Sequence, residues 1–472
     1  MADADPSRDS MSNDPSPPAP VTGTGAISNA RMALLFMVML VTAAGNTAMQ
    51  SVMPSIGTAL EVSDVWISLA FSWSALLWVF CAPIWARRSD RRGRKSMMSL
   101  GLVGFVASMV MCGFVLWAGL AGWLGAFATL LAFAAARSLY GGFGSAAPPA
   151  VQAYVASRTP RSERTNALSL IASSFGLGTV IGPALAPLMV LPFMGLGLTG
   201  PFIGFALLGL IVLAALWLQL PNDTPKFAAR GLATSYSGPS EGLGEGLSEG
   251  LSEDLSDELG KEAESTATQS ESEPPRLKWT DTRIRGWVFA QLVGGHAQAM
   301  VLGITGFLVL DRLGLRATPA EGAGPVGLVL MAGAIASLLS QWGIIPRFKL
   351  GPRAATLSGV LIAAFGTAVL AAGTQLHVIA LGYAIASLGF GLFRPGTTAG
   401  TSLAVTRAEQ GQASGVVASL AGFSFIYAPA LGVWLYGQSD WGAFGVIIAL
   451  CLAVFARGWA TLQSDEAMTK DR

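Results

Sequence analysis

His296 is the one deeply placed histidine, a residue type suited to taking up and releasing protons, well inside a long apolar run. It serves there either as a proton carrier or as a neutral hydrogen-bonding post. Arg137 and Arg394 interrupt two other apolar runs. In lipid a guanidinium costs about 2.5–3.5 kcal/mol on insertion scales, so each needs a partner or a wet cavity. Arg137 reads as a solute contact, a control on proton release or a post between helices. Arg394 either faces a central cavity, where it attracts anionic groups, or snorkels toward the membrane surface. Asn46 and Gln50 are spaced i, i+4 and share a helix face, lining a cavity or gluing helices together. Gln291 and Gln298 share another face, from which His296 is rotated by about 140° and 200° at roughly 100° per residue. At most one of those two faces looks into a cavity. Tyr140, Tyr383 and Tyr427 offer rings with polar tips. None of the 28 Asp and Glu residues falls in the middle of an apolar run.

Enzymatic chemistry finds little to work with in this set. Cys81, Cys112 and Cys451 lie in apolar stretches and read as packing residues, and two histidines without embedded acids make no metal site. No Gly-x-x-x-x-Gly-Lys-Ser/Thr run is present, so nucleotide-driven pumping is not expected. Neither an enzyme nor a cofactor is anticipated.

The elements that position these residues follow from hydropathy. The chain has 472 residues, 52% hydrophobic and only 12% charged, too few charges to cover a water-soluble surface. Net charge is +1, which points away from nucleic acid as a partner. Apolar stretches recur at about 32–54, 65–86, 96–118, 126–154, 166–190, 200–220, 286–310, 325–346, 354–374, 377–401, 411–437 and 441–462. Each is long enough to cross ~30 Å of hydrocarbon, and backbone in lipid must satisfy its own hydrogen bonds, so twelve transmembrane helices are expected. Loops after even-numbered spans carry 20 Lys and Arg, whereas those after odd-numbered spans carry only Arg312 and Arg316. By the positive-inside rule the even loops and both termini are cytoplasmic, and the protein is a multi-pass inner-membrane protein.

Residues 1–30 are rich in Pro, Ser and acids and read as a disordered tail; 463–472 form a second tail. Residues 221–283 contain SEGLGEGLSEGLSEDLSDELG and read as a solvated acidic linker. It divides a six-helix bundle over 31–220 from another over 284–462.

The halves repeat each other. Gly178-Thr-Val-Ile-Gly182-Pro183-Ala-Leu-Ala186 matches Ser424-Phe-Ile-Tyr-Ala428-Pro429-Ala-Leu-Gly432 at an offset of 246 residues, as Glu163 matches Glu409 and Pro149 matches Pro395. The fold class is therefore an all-α membrane protein of two pseudo-symmetric six-helix bundles. Such repeats build a site near the midplane that opens alternately to either side.

The loop after span 2 reads Ala86-Arg-Arg-Ser-Asp90-Arg91-Arg-Gly93-Arg94-Lys95. With span 4's Arg137-Ser-Leu-Tyr140-Gly141-Gly142 and span 5's Gly178-x-x-x-Gly182-Pro183, it resembles the major facilitator superfamily, closest to the twelve-span drug and metabolite exporters that include tetracycline-type pumps. Ala86 replaces the loop signature's first Gly, and Ala186-Pro187 stands where the antiporter signature ends in Gly-Gly. The resemblance implies that Asp90, with Arg91, Gly93, Arg94 and Lys95, forms a gating loop whose acid faces the start of span 11. It also implies that the Gly178–Pro183 kink favours export. The expected function is secondary transport of a small organic solute, with export by proton antiport preferred and an importer or uniporter as the rival. A membrane scaffold or enzyme is the rival from another class. Partners are the solute, protons and the lipid bilayer, and the protein is expected to be a monomer.

Overall fold

The computed structural model describes residues 27–159, 161–190, 196–221, 277–406 and 409–466. The N-terminal tail to residue 26, most of the acidic linker and residues 467–472 lie outside the described residues. Among the described residues, twelve helices are long and apolar enough to cross a membrane. They are α1 (Asn29–Ala59), α2 (Asp64–Arg92), α3 (Arg94–Leu120), α4 (Ala126–Arg158), α5 (Arg161–Met189) and α6 (Gly200–Gln219) in the first half. The second half holds α7 (Arg285–Arg312), α8 (Pro319–Phe348), α9 (Pro352–Ala372), α10 (Leu376–Leu403), α11 (Gln410–Gln438) and α12 (Asp440–Thr461). The face that carries Asn29 and Thr461 is called the near side, and the opposite face the far side.

Local chemistry sets the helix ends. The Ser28 hydroxyl accepts from the Arg31 amide, and Ser439 accepts from the Gly442 amide at 3.1 Å. α8 starts at Pro319, about a turn and a half before the apolar run at 325, because proline at the first turn gives up an amide that has no helical partner anyway. Gly93 adopts φ +89°, a conformation few other residues tolerate, and so separates α2 from α3.

Among the described residues, two helices change pitch inside their spans, both at prolines. In α4 a 3-10 turn at Gly144–Ala146 precedes Pro148 and Pro149, which cannot donate to the preceding turn. In α8 a π turn at Ser340–Ile344 precedes Pro346, and the Ile345 amide reaches back to the Ser340 carbonyl.

Packing reproduces the internal repeat. α5 lies on α1 in the first half, and α11 lies on α7 in the second. A Cβ at Gly178 would come 2.6 Å from the Leu40 carbonyl oxygen, and one at Gly182 would strike the Ala44 carbonyl and the Thr47 hydroxyl. Small residues thus let two backbones meet where lipid offers no hydrophobic drive. The matching crossing sets Gly295 against Ser424 and Gly303 against the Pro429 backbone. The halves meet along a seam where α2 contacts α11, α5 contacts α8, and α1 contacts both α7 and α8.

Candidate functional site: a cavity on the seam

A cavity of about 280 Å³ opens along the seam. Asn46, Gln50, Met53 and Pro54 of α1 line it, with Ile67, Phe71, Ser74 and Trp78 of α2, and Arg137 and Tyr140 of α4. From the second half come Leu302, Gly303, Gly306 and Phe307 of α7, Leu330 of α8, and Phe425 and Pro429 of α11. Its lining contains aromatic and aliphatic groups, a few polar ones and a single charge.

That charge is Arg137, only 3% exposed. Its Nη2 donates to Asn46 Oδ1 at 3.1 Å. The guanidinium lies 5.1 Å from the centre of the Phe71 ring and 5.0 Å from that of Tyr140, within cation–π range. Its Nε and Nη1 are buried without a hydrogen-bond partner. Gln50 also makes no hydrogen bond to the described residues, so its amide is free to serve the cavity. Gly141 lets α4 approach α2, since a Cβ there would lie 2.5 Å from the Ser74 carbonyl oxygen; Gly142 has open space around its Cα.

The far side of the seam is fastened by charge. Arg316, in the loop after α7, donates from Nη1 and Nη2 to the two carboxylate oxygens of Asp64 at 2.9 and 2.7 Å. Asp64 opens α2 and so belongs to the other half. Arg316 also reaches Thr58 at 3.1 Å and, from Nε, Asp311 at 2.7 Å. Asp311 further accepts from the Tyr436 hydroxyl at 3.0 Å, while Arg312 pairs with Asp440 at 3.2 Å. Hydrogen bonding to Asp64 is the main reason Arg316 is held protonated well above the ordinary guanidinium range, against an opposing effect of burial. Among the described residues, Asp64–Arg316 is the ion pair that joins one half to the other.

The remaining sequence candidates lie off this cavity. His296 shares a helical face with Gly303 but sits two turns nearer the near side, with Nδ1 against the Leu292 carbonyl and Nε2 against the Tyr427 hydroxyl. Ser424 Oγ also lies 3.2 Å from Nδ1. Tyr427 is 39% exposed. Gln291 is buried and accepts from Thr397 Oγ1 at 2.6 Å, so it ties α7 to α10. Gln298 is half-buried and lines no part of the cavity. Tyr383 is buried against Gly333 of α8, and the Arg394 side chain is exposed and unpaired among the described residues.

In the near-side loop, Lys95 donates to the Trp217 carbonyl at 3.1 Å and to the Leu220 carbonyl, which satisfies the C-terminus of α6. Arg94 donates to Ser157. The side chains of Asp90 and Arg91 lie outside the described residues, so the expected contact with α11 does too.

Sequence reasoning missed most of the cavity wall: Phe71, Ser74, Trp78, Phe175, Phe307 and Phe425. Phe and Trp in an apolar span carry no sign of which way they face. It also missed Asp64 and the role of Arg316, although the latter stood out as one of two basic residues on the sparsely charged side. Another missed pair is Arg283 with Glu409, joined through both Nη atoms at 2.8 Å. Arg283 ends the assigned linker, and with the buried Leu277 and Ile284 it docks beside the start of α11. The signal for Glu409 was its match to Glu163 in the repeat.

The sequence profile of the Major Facilitator Superfamily matches residues 35–349. A protein from Streptomyces coelicolor described as a probable actinorhodin transporter is 26% identical over 430 residues, 85% of this chain and 69% of that protein. A multi-drug resistance efflux pump PmrA homolog from Lactococcus lactis is 32% identical over 162 residues, 34% of this chain and 36% of that one. Among solved structures, the inward-open xylose transporter XylE from E. coli superposes with a TM-score of 0.62 at 14% identity, covering 93% of this chain and 98% of its own. A bacterial homolog of the lysosomal transporter Spinster, inward-facing and occupied, gives 0.62 at 12% identity, over 93% and 97% of the two chains. These matches indicate a transporter and not an enzyme. With the twelve helices, the repeated halves and a profile spanning most of its length, the chain belongs to the Major Facilitator Superfamily.

Proposed function

We infer that the protein exports a small amphiphilic organic solute from the cytoplasm by rocking of its two halves, driven by exchange for protons. The observation that carries this reading is the seam cavity, whose wall comes from both halves and pairs an aromatic lining with a few polar groups. A shift of one half against the other would change which side the cavity faces. The near side is cytoplasmic on this reading, since the Lys and Arg of the loops lie overwhelmingly there. The Asp64–Arg316 pair then closes the outer side, in keeping with the inward-facing relatives by fold. Export is supported by the similarity to a relative described as a multi-drug resistance efflux pump. His296, hydrogen-bonded to Tyr427 on the face that continues to Gly303, is the proposed proton carrier.

A uniporter or importer is the second reading, favoured by the lack of any carboxylate in the cavity lining among the described residues. The two separate in vesicles containing the purified protein, with the pH gradient imposed in either direction and a panel of aromatic drugs and metabolites followed. Accumulation against a concentration gradient, driven by protons moving the other way and lost in His296→Ala, supports antiport. Equilibration that ignores the gradient contradicts it.

A further inference from the structure

We propose that the seam cavity is a site for planar aromatic anions, a carboxylate or acidic phenol on a fused or conjugated ring, with Arg137 as the group that selects the charge. This names a ligand class for the site proposed above and rests on that site's being the solute cavity.

The argument starts from what Arg137 lacks. A buried cation is tolerated when a counter-ion or several acceptors offset its lost hydration. Arg316 has both, with two carboxylates and a hydroxyl around it. Arg137 has one neutral acceptor, Asn46, and two aromatic faces. No Asp or Glu lines its cavity among the described residues, and Nε and Nη1 are bonded to nothing. Among the described residues, therefore, no anion offsets the Arg137 charge. A cationic solute would add to that charge, and a neutral one would leave it standing. A monoanion would remove it, and delocalised oxygens match a guanidinium's paired donors.

The wall supplies the second half of the specificity. Phe71 and Tyr140 flank the guanidinium, and Trp78, Phe175, Phe307 and Phe425 complete an aromatic lining contributed by both halves. Flat rings stack or meet edge to face with such side chains, an attraction that adds to the burial of apolar area. Gln50 lines the same cavity and adds an amide that can donate to a second oxygen.

The test is equilibrium binding to the full-length protein in nanodiscs, with no gradient, so its result is independent of transport direction and coupling. The probes are naphthoate, its neutral isostere naphthamide and the cation naphthylmethylammonium. The expected result is a Kd for naphthoate at least ~30-fold lower than for either of the others, a gap that Arg137→Gln closes and Arg137→Lys keeps in part. Because charge preference is read on the unaltered protein, a variant that fails to fold does not block the test. Equal binding of the three probes, preference for the cation, or no binding of any would overturn the proposal. A failure to export in vesicles, with the anion preference intact, would instead remove the export reading alone.

Discussion

Arg316 fastens the far side of the seam and Arg137 lies in the wall of its cavity, and the molecule treats them in opposite ways. Arg316 is held by Asp64 and Asp311, one from each half, so its charge is spent on joining the halves. Arg137 is more deeply buried, has one amide for a partner and keeps two donors idle. On the proposal above, the contrast separates a fastening from a receptor: Arg316 has its charge met within the protein, and Arg137 keeps donors for a solute. The repeat sharpens this, because at the 246-residue offset Arg137 corresponds to Tyr383, which is buried against Gly333 and carries no charge. The charge in the cavity wall therefore comes from the first half alone.

The strongest disruption should come from Gly182→Leu, which drives a side chain into the Ala44 carbonyl and Thr47 and pushes away α1, the helix that carries Arg137's partner Asn46. A loss of about 3 kcal/mol of stability or failure to accumulate folded protein is expected, read by thermal unfolding in detergent. Full stability would mean that the α1–α5 crossing is slack.

Next in size, the two arginines should give shifts of opposite sign. Arg137→Gln removes an unpaired buried charge and should leave the protein as stable or raise its stability by about 1–2 kcal/mol, even as anion binding weakens. Arg316→Ala should lower stability by about 1–2 kcal/mol and shift the balance toward the state open on the far side by about tenfold, read by distances between spin labels across that side. If both substitutions destabilise equally, the distinction between fastening and receptor fails.

The smallest effect concerns a third, paired arginine. Hydrogen bonds from Arg283, and then from Thr406, hold the Glu409 carboxyl down to about 2, below its ordinary value of 4.5. A depressed carboxyl contributes stability that is full above about 4.5 and fades as pH falls toward 2. Glu409→Gln should flatten that part of the stability profile, and an unchanged profile would deny the contact any weight.

The spans were legible because a bilayer imposes length and hydropathy on every helix, and the small-residue crossings were legible because they recur at one offset. Pro319 shifted the start of α8 because hydropathy does not register a polar first turn outside the core. The site was legible only in its polar part. Asn46, Gln50, Arg137 and Tyr140 were singled out and do line one cavity, because polar groups in lipid need a reason. Gln291 met the same criterion, and its reason was instead Thr397 on a neighbouring helix. Tyr383 faces α8, and Arg394 reaches an exposed surface. Which partner a polar side chain finds depends on helix rotation, and in these spans apolar residues surround each helix and leave rotation unmarked.

The account depends on the two halves moving apart on the far side during each cycle. With Cys81, Cys112 and Cys451 replaced by alanine, Asp64→Cys and Arg316→Cys can be bridged by a bifunctional thiol reagent with a reducible spacer. Transport of solute through vesicle-embedded protein should stop when the bridge forms and return when the spacer is reduced. Bridged protein that transports at its unbridged rate would contradict the account.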